Sequence, residues 1–515
     1  MLVVFHCFFT GLARTGFVGP DEPRYASIAR EMARSGDWVT PRLNGSPWFE
    51  KPPLYYWSAA LGFLLFSTPE VAARVPSGMF ALLTVLGLAL VARRLYGPSA
   101  TFAVAIMLPA TVAMTGFARA AATDMPFAAC LTLAMAAAAF LLLPEQPSQI
   151  GLIAAAFGAA LGLAVLAKGP AAIVLAGGGA GLWAVVSGNL RRVWRLFHPL
   201  AIVVFAAAAL PWYVLCALRN PTFLRVFLLQ HNVERFLTNR YQHQQPFWFF
   251  VPVLLVAAFP WTLLLAPALA GAWRALRGAE WRKSSEVFFA AWVVFPFVFF
   301  SASQSKLPGY ILPAVPPVIL LLARNLAVSS PASRFHLMWV SATLAAVGCM
   351  PFLPQFYAPR GQEARTLLAA PGVEGPLALL GAALLLAAVL VAVAGWMRRV
   401  DTGIAIAALL FSFAVGITAN HVLPRWDSSI SARQFAHSAH EQAAGASLAV
   451  YKLPRAWQFG AEFYLDLALP EWTPAIPHPV CVMTSVRSLP DLERLSASGR
   501  FVATPSGPAT LYCLP

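Results

Sequence analysis

Charge is the scarcest commodity in this 515-residue chain: only 11% of its residues are Asp, Glu, Lys or Arg, against about 25% in an ordinary soluble domain. Apolar residues make up 59%, and the mean hydropathy is +0.68. A soluble fold of this length must show much of its surface to water, and too few polar residues are present to cover it. The same figures exclude a disordered chain, a fibrous repeat and a disulfide-rich secreted scaffold. Lipid is the main solvent. Acid is scarcer than base, with 21 Asp and Glu against 36 Lys and Arg and a net charge of +15. In a soluble chain that surplus would suggest nucleic acid. Here it reads as basic loops facing the cytoplasm and anionic head groups, with membrane lipids and no nucleic acid as partners. Cysteine is also sparse. Cys7, Cys130, Cys216 and Cys349 lie in apolar stretches and read as buried hydrophobes. Cys481 and Cys513 share the one long non-membrane tail, where a disulfide can form if the tail is extracytoplasmic. Walker, Rossmann, HExxH, CxxC and GxSxG patterns are all missing, which leaves nucleotide-driven, zinc-protease and serine-hydrolase chemistry without support.

What the chain has in quantity is apolar runs. A spanning helix needs about 20 mainly apolar residues. Such runs near 1–18, 71–92, 99–117, 125–143, 150–167, 170–187, 199–218, 247–270, 286–303, 308–323, 336–354, 375–397 and 401–420 predict thirteen spans. The first carries Arg14 and has no basic flank, so it fits a cleaved signal peptide poorly. Arginines at 93–94, 191–195, 274–282, 324–334 and 398–399 fall in alternate connectors, which the positive-inside rule places in the cytoplasm. The connectors 19–70, 118–124, 168–169, 219–246, 304–307 and 355–374, together with the tail from His421, are then outside. The fold class expected is an all-α polytopic membrane protein. Residues 1–420 form its transmembrane domain and 421–515 a small extracytoplasmic α/β domain. Within the first outer loop, Pro23–Arg34 reads as a helix with apolar stripe Tyr25, Ile28, Ala29 and Met32, ended by Ser35-Gly36. A turn at Asn44-Gly45-Ser46-Pro47 leads to a second helix over Pro52–Phe66. Both are expected to lie along the membrane surface, with Tyr55, Tyr56 and Trp57 at head-group depth. In the tail, Ser431–Ala444 reads as helix, and Ser447–Tyr451, Val480–Thr484 and Phe501–Thr504 as short strands.

Ionisable residues near membrane depth are costly and usually functional. In the outer half they gather as Asp21-Glu22-Pro23-Arg24-Tyr25, Glu50-Lys51, Arg119 to Asp124, Lys168, His231 to Arg235, and Lys306 to Tyr310. Each has a plainer alternative. Arg119 and Asp124 can pair with each other, Lys168 can snorkel, and His231 can be an ordinary interfacial histidine. Together they predict a polar cavity at the outer leaflet. Carboxylates able to hold a divalent cation or take a proton would sit there beside cations able to hold a phosphate. That mixture suits group transfer from a lipid-borne phosphate donor. A lipid or solute transporter is the alternative of another class, but the polar residues gather at one surface and no paired halves are visible.

The runs Asp21-Glu22-Pro23-Arg24-Tyr25-Ala26, Gly36-Asp37-Trp38-Val39-Thr40-Pro41 and Glu50-Lys51-Pro52-Pro53-Leu54-Tyr55-Tyr56-Trp57 resemble the first outer loop of the lipid A 4-amino-4-deoxy-L-arabinose transferases. These form glycosyltransferase family 83, in the GT-C group that also holds the protein O-mannosyltransferases. The likeness continues through Thr123-Asp124-Met125-Pro126, Lys168-Gly169-Pro170, His231-Asn232-Val233-Glu234-Arg235-Phe236 and Ser305-Lys306-Leu307-Pro308-Gly309-Tyr310, over about the first 330 residues. The tail carries no sequence feature that matches.

The resemblance implies a GT-C fold of thirteen helices and a sugar transferase of the bacterial inner membrane working on the periplasmic side. Its donor would be an undecaprenyl-phosphate-linked sugar and its acceptor lipid A or another periplasmic molecule. Asp21 and Asp124 would be the essential carboxylates. Lys51, Arg235 and Tyr310 would hold the donor phosphate, and Arg24, Lys168 and Lys306 would line the cavity. Glu50 and His231 would bind a divalent metal cation such as zinc. A protein O-mannosyltransferase-like or other polyprenyl-phosphate-sugar transferase is the nearest alternative.

Overall fold

The computed structural model describes residues 1–234, 245–275, 277, 281–328, 333–357, 361–477, 479–496, 500–502 and 507–514. The chain is a multi-pass helical membrane protein with a small sheet domain at its C-terminal end. Among the described residues, eight helices are long and apolar enough to cross a membrane. A ninth span arises if Phe247–Ala257 and Thr262–Arg274, bent by 116°, count as one, and Leu54–Leu65, Ala171–Ser187 and Glu286–Ala302 are shorter apolar helices. Length and composition therefore do not reach the expected thirteen. Two of the expected spans account for part of the shortfall. Residues 1–18 hold only α1 (Leu2–Phe8). The run 99–117 is shared between α4 (Pro69–Met107), which turns at Gly97, and the short α5 (Val112–Ala118).

Four elements fill the first loop. Helix α2 (Asp21–Ser35) starts with Asp21, Glu22 and Pro23 in its first turn and ends at Gly36. Acidic residues there meet the positive end of the helix dipole. A hairpin of β1 (Arg42–Leu43) and β2 (Ser46–Pro47) turns at Asn44-Gly45, as its residue types require. Helix α3 (Leu54–Leu65) follows. The role of α2 differs from that expected of an interfacial helix. The stripe Tyr25, Ile28, Ala29 and Met32 is buried together with Tyr55, Tyr56 and Phe463, so protein rather than lipid covers it. Periodicity identified the apolar face but not its cover.

At the centre stands α6 (Asp124–Leu142), whose alanines let neighbouring backbones approach. It packs between α4 and α7 (Ile150–Lys168), and nearly its whole length is buried. Arg192 and Arg195 donate to the carbonyls of Leu141, Leu142, Leu143 and Pro144 at the C-terminal end of α6. Asp124 lies at the other end. At about 1.5 Å per residue the two ends of this helix are roughly 28 Å apart, close to the thickness of a bilayer core. The arginine loop and the carboxylate thus lie on opposite faces of the membrane domain.

The helical run Val400–Ile430 leads into the C-terminal domain. There helices Arg433–Ala443 and Arg455–Leu465 flank a sheet of β3 (Ser447–Tyr451), β4 (Val480–Ser485), β5 (Arg500–Val502) and β6 (Ala509–Leu514), ordered β3-β4-β6-β5. Strands β3 and β4 run parallel and the other pairs antiparallel. The register sets Cys481 opposite Cys513, and the two form a disulfide. Strand β6 was not anticipated, because both of its faces are buried and it lacks the alternation that marks a half-exposed strand.

Candidate active site

Two charge clusters stand at the end of the bundle opposite the Arg192 and Arg195 loop. The first is built on α2 and the turn before α3. Arg24, buried, reaches Asp21 Oδ1 at 2.5 Å and Glu50 Oε2 at 3.1 Å through one nitrogen, Nη2. Lys51 Nζ lies 3.9 Å from Glu50 Oε1. Tyr25, Trp48 and, from the C-terminal domain, Phe459 surround the Arg24 guanidinium at 5.1–5.7 Å. Burial pulls the Arg24 pKa down, but Glu50, with Tyr25 and Asp21, outweighs it and holds the guanidinium above its ordinary value. Asp21 itself is 54% exposed. It is a charged group aimed at solvent from a fixed helix end.

The second cluster joins three elements. Asp124 opens α6, and Lys168 closes α7, which ends there because Gly169 takes a φ of +90° that other residues avoid. Lys168 Nζ donates to Asp124 Oδ1 at 2.6 Å. Tyr310 brings its ring within 5.1 Å of the same Nζ and rests on Phe300. Gly309 makes that approach possible: a Cβ there would stand 2.8 Å from Asp124 Oδ1 and 3.0 Å from the Phe117 ring. Lys306 is buried and donates to the Ser303 carbonyl at 2.6 Å. The open question at Asp124 is thereby answered. Its partner is Lys168 rather than Arg119, and Lys168 is paired rather than snorkelling.

Glu22 joins the two clusters. Its carboxylate pairs with both Nε and Nη2 of Arg74, and accepts from Val18 N at 2.8 Å and Ala121 N at 2.7 Å. Arg74 also holds the carbonyls of Leu12, Thr15 and Gly16. One buried ion pair therefore fixes the segment before Asp21 and the loop before Asp124 at once. From the C-terminal domain, Asp427 accepts from Gly16 N at 2.7 Å and Tyr464 from Phe17 N at 2.8 Å. Neither Arg74 nor Phe459 was singled out from the sequence. For Arg74 a signal existed, an arginine inside an apolar run. For Phe459 there was none.

Asp21, Arg24, Glu50 and Lys51 thus meet in one cluster, and Asp124, Lys168 and Tyr310 in the other, with Lys306 on the loop that carries Tyr310. Arg235 lies outside the described residues, as does the side chain of His231. Among the described residues no three His, Cys, Asp or Glu side chains gather as metal ligands. Glu50 already faces Arg24 on one oxygen and Lys51 on the other, a cationic setting poorly suited to a metal ion.

Known proteins resemble this chain in sequence and in fold. Residues 7–227 match the family described as dolichyl-phosphate-mannose-protein mannosyltransferase. The undecaprenyl phosphate-alpha-4-amino-4-deoxy-L-arabinose arabinosyl transferase of Edwardsiella ictaluri (strain 93-146) is 33% identical over 311 residues, 59% of this chain and 54% of that protein. Its counterpart from Pseudomonas aeruginosa (strain UCBPP-PA14) is 34% identical over 333 residues, 63% of this chain and 59% of that protein. The chain thus spans little more than half the length of these curated relatives. In structure, ArnT from Cupriavidus metallidurans bound to undecaprenyl phosphate superposes with a TM-score of 0.83 at 25% identity, covering 99% of this chain and 96% of ArnT. Its apo form gives 0.80 at 24% identity. The resemblance read from the sequence holds: this chain is similar to the GT-C aminoarabinose transferases in sequence over about three fifths of its length, and it has the fold of ArnT along nearly all of it.

Proposed function

We propose that the chain is an integral-membrane glycosyltransferase that moves a sugar, best read as 4-amino-4-deoxy-L-arabinose, from undecaprenyl phosphate to lipid A or a related periplasmic acceptor. It would work in the bacterial inner membrane with its site on the periplasmic side. The observation that carries this reading is the pair of carboxylates Asp21 and Asp124, each at a helix start, each beside a cation, and tied together by the Glu22 to Ala121 bond. The reaction is a single inverting displacement. An acceptor oxygen attacks the anomeric carbon, the bond from that carbon to the phosphate oxygen breaks, and the polyprenyl phosphate leaves with the electron pair. Negative charge grows on that phosphate, and fixed cations with a phenol stabilise it. Lys51, Arg235 and Tyr310 take this role, and Arg24, Lys168 and Lys306 set the potential around it. A phosphate acceptor is ionised near neutral pH, and Asp21 then positions it; a hydroxyl acceptor would give its proton to Asp21.

The divalent cation proposed for Glu50 and His231 would have to compete with Arg24 and Lys51, so no step of the transfer is routed through it. The match to the mannosyltransferase family over residues 7–227 favours one second reading, transfer of another polyprenyl-linked sugar to a protein or glycan. Mass spectrometry of lipid A from cells with and without the gene separates them. The first reading expects an aminoarabinose-sized addition that vanishes with the gene. Unchanged lipid A, with label passing from a polyprenyl-phosphate sugar to a peptide acceptor, would replace it by the second.

A further inference from the structure

Arg119 belongs to the outer-face set but to neither cluster. Its Nη1 is buried without a hydrogen-bond partner, and no ion pair reaches it among the described residues. The residue borders a cavity of about 360 Å³ that is also walled by Leu12, Thr15, Val18, Leu423 and the Glu22–Arg74 pair. None of the side chains of either charge cluster borders this space. Its volume falls in the range of small-ligand sites, about 300–1,000 Å³.

The charge balance of the cavity is simple. Glu22 and Arg74 cancel one another, which leaves Arg119 as one net positive charge. Burial, helped by Arg74, draws the Arg119 pKa down to about 10, so the group remains charged at neutral pH. A half-buried guanidinium with no counter-charge is costly, and an anion entering beside it offsets that cost. Guanidinium groups favour the planar two-point geometry of phosphate or carboxylate. The rest of the wall is largely apolar. Val18, on the wall, and Val112, on the helix α5 that supplies Gly116 to the wall, are exposed, side chains of the kind that lipid tails cover. A charged head and an apolar surround describe one class of ligand.

We propose that this cavity binds the phosphate of an anionic amphiphile, held by Arg119 and separate from the site of sugar transfer. The inference stands on the cavity itself and does not need the transfer reading. The test is native mass spectrometry of the purified full chain in detergent with dioleoylphosphatidylglycerol, dioleoylphosphatidylcholine or inorganic phosphate. Wild type should retain phosphatidylglycerol at least tenfold more tightly than Arg119→Gln and more tightly than it retains phosphatidylcholine. Arg119→Lys should recover part of the difference. Lys51→Gln should retain phosphatidylglycerol like wild type, which separates this site from the donor phosphate site. Binding of inorganic phosphate that Arg119→Gln abolishes would keep the anion site and make its occupant free phosphate. Equal retention of phosphatidylglycerol by wild type and Arg119→Gln overturns the proposal. Should Arg119→Gln fail to fold, wild type alone decides: phosphatidylglycerol should raise its melting temperature where phosphatidylcholine does not, and no such difference is equally fatal.

Discussion

Two neighbouring carboxylates on α2 meet opposite environments. Glu22 is 10% exposed and paired at two points with Arg74, and its oxygens hold two backbone amides. Asp21 is 54% exposed and shares a single nitrogen of Arg24 with Glu50. The first makes contacts that organise the loops on both sides of the site. The second contributes little to that framework and is free to meet a substrate. Adjacent residues of the same charge can thus divide structure from chemistry, because successive positions on a helix point about 100° apart. The same division recurs across the site. Arg74 is architectural, and Arg24 meets Asp21 and Glu50 in the proposed transfer site.

If this division is right, changes at Glu22 should be the most damaging. Glu22→Ala leaves a buried Arg74 uncompensated, a loss of about 3–5 kcal/mol, and should show as a large fall in melting temperature and yield. A normally stable Glu22→Ala protein would erase the contrast. Lys168→Ala should cost less stability than Glu22→Ala and should slow transfer. It removes a part-buried pair with Asp124 worth about 1.5–3 kcal/mol of stability, and the loss of a fixed cation beside the developing phosphate charge should lower the rate by roughly a hundredfold. A rate change below twofold would remove the second cluster from the chemistry.

Chelation should matter less. With Glu50 counter-charged by Arg24 and Lys51, transfer in the presence of EDTA should keep more than about half its rate, given cations already in place. Abolition by EDTA with recovery on added zinc would reinstate a metal at Glu50. The smallest effect belongs to the contact between α2 and the C-terminal domain. Asp466 pairs with Arg30 and Arg34, and the Arg34 hydrogen bond, backed by the charge of Arg30, keeps its carboxyl below the usual range. A lowered folded-state pKa means stability present above the unfolded value near 3.9 and lost as pH falls through the folded value. Asp466→Ala should therefore cost only about 0.2–1 kcal/mol at neutral pH. The difference from wild type should fade below about pH 4 in a thermal melt.

Much of this was legible in the sequence, for local reasons. Helices α6 and α7 lie within a residue or two of their apolar runs, and α2 begins and ends near its proline and glycine. The one-sided gathering of charge was also visible. Pairings were not. Asp124 had Arg119 five residues away as a candidate partner and Lys168 forty-four away in fact, a contact made only when α6 and α7 pack antiparallel. The cover over Tyr25 and Met32 was hidden for a similar reason, since an apolar stripe is the same whether lipid or Phe463 lies on it. Hidden too was Phe459 above Arg24, an ordinary aromatic until the C-terminal domain folds back onto the first loop.

The central claim is that Asp21 serves transfer while Glu22 serves structure. Its most direct test is the rate of sugar transfer from undecaprenyl-phosphate-linked aminoarabinose to lipid A by purified Asp21→Asn, measured beside its melting temperature. The account predicts a melting temperature within a few degrees of wild type and no measurable transfer. A folded Asp21→Asn protein that transfers sugar at the wild-type rate would contradict it.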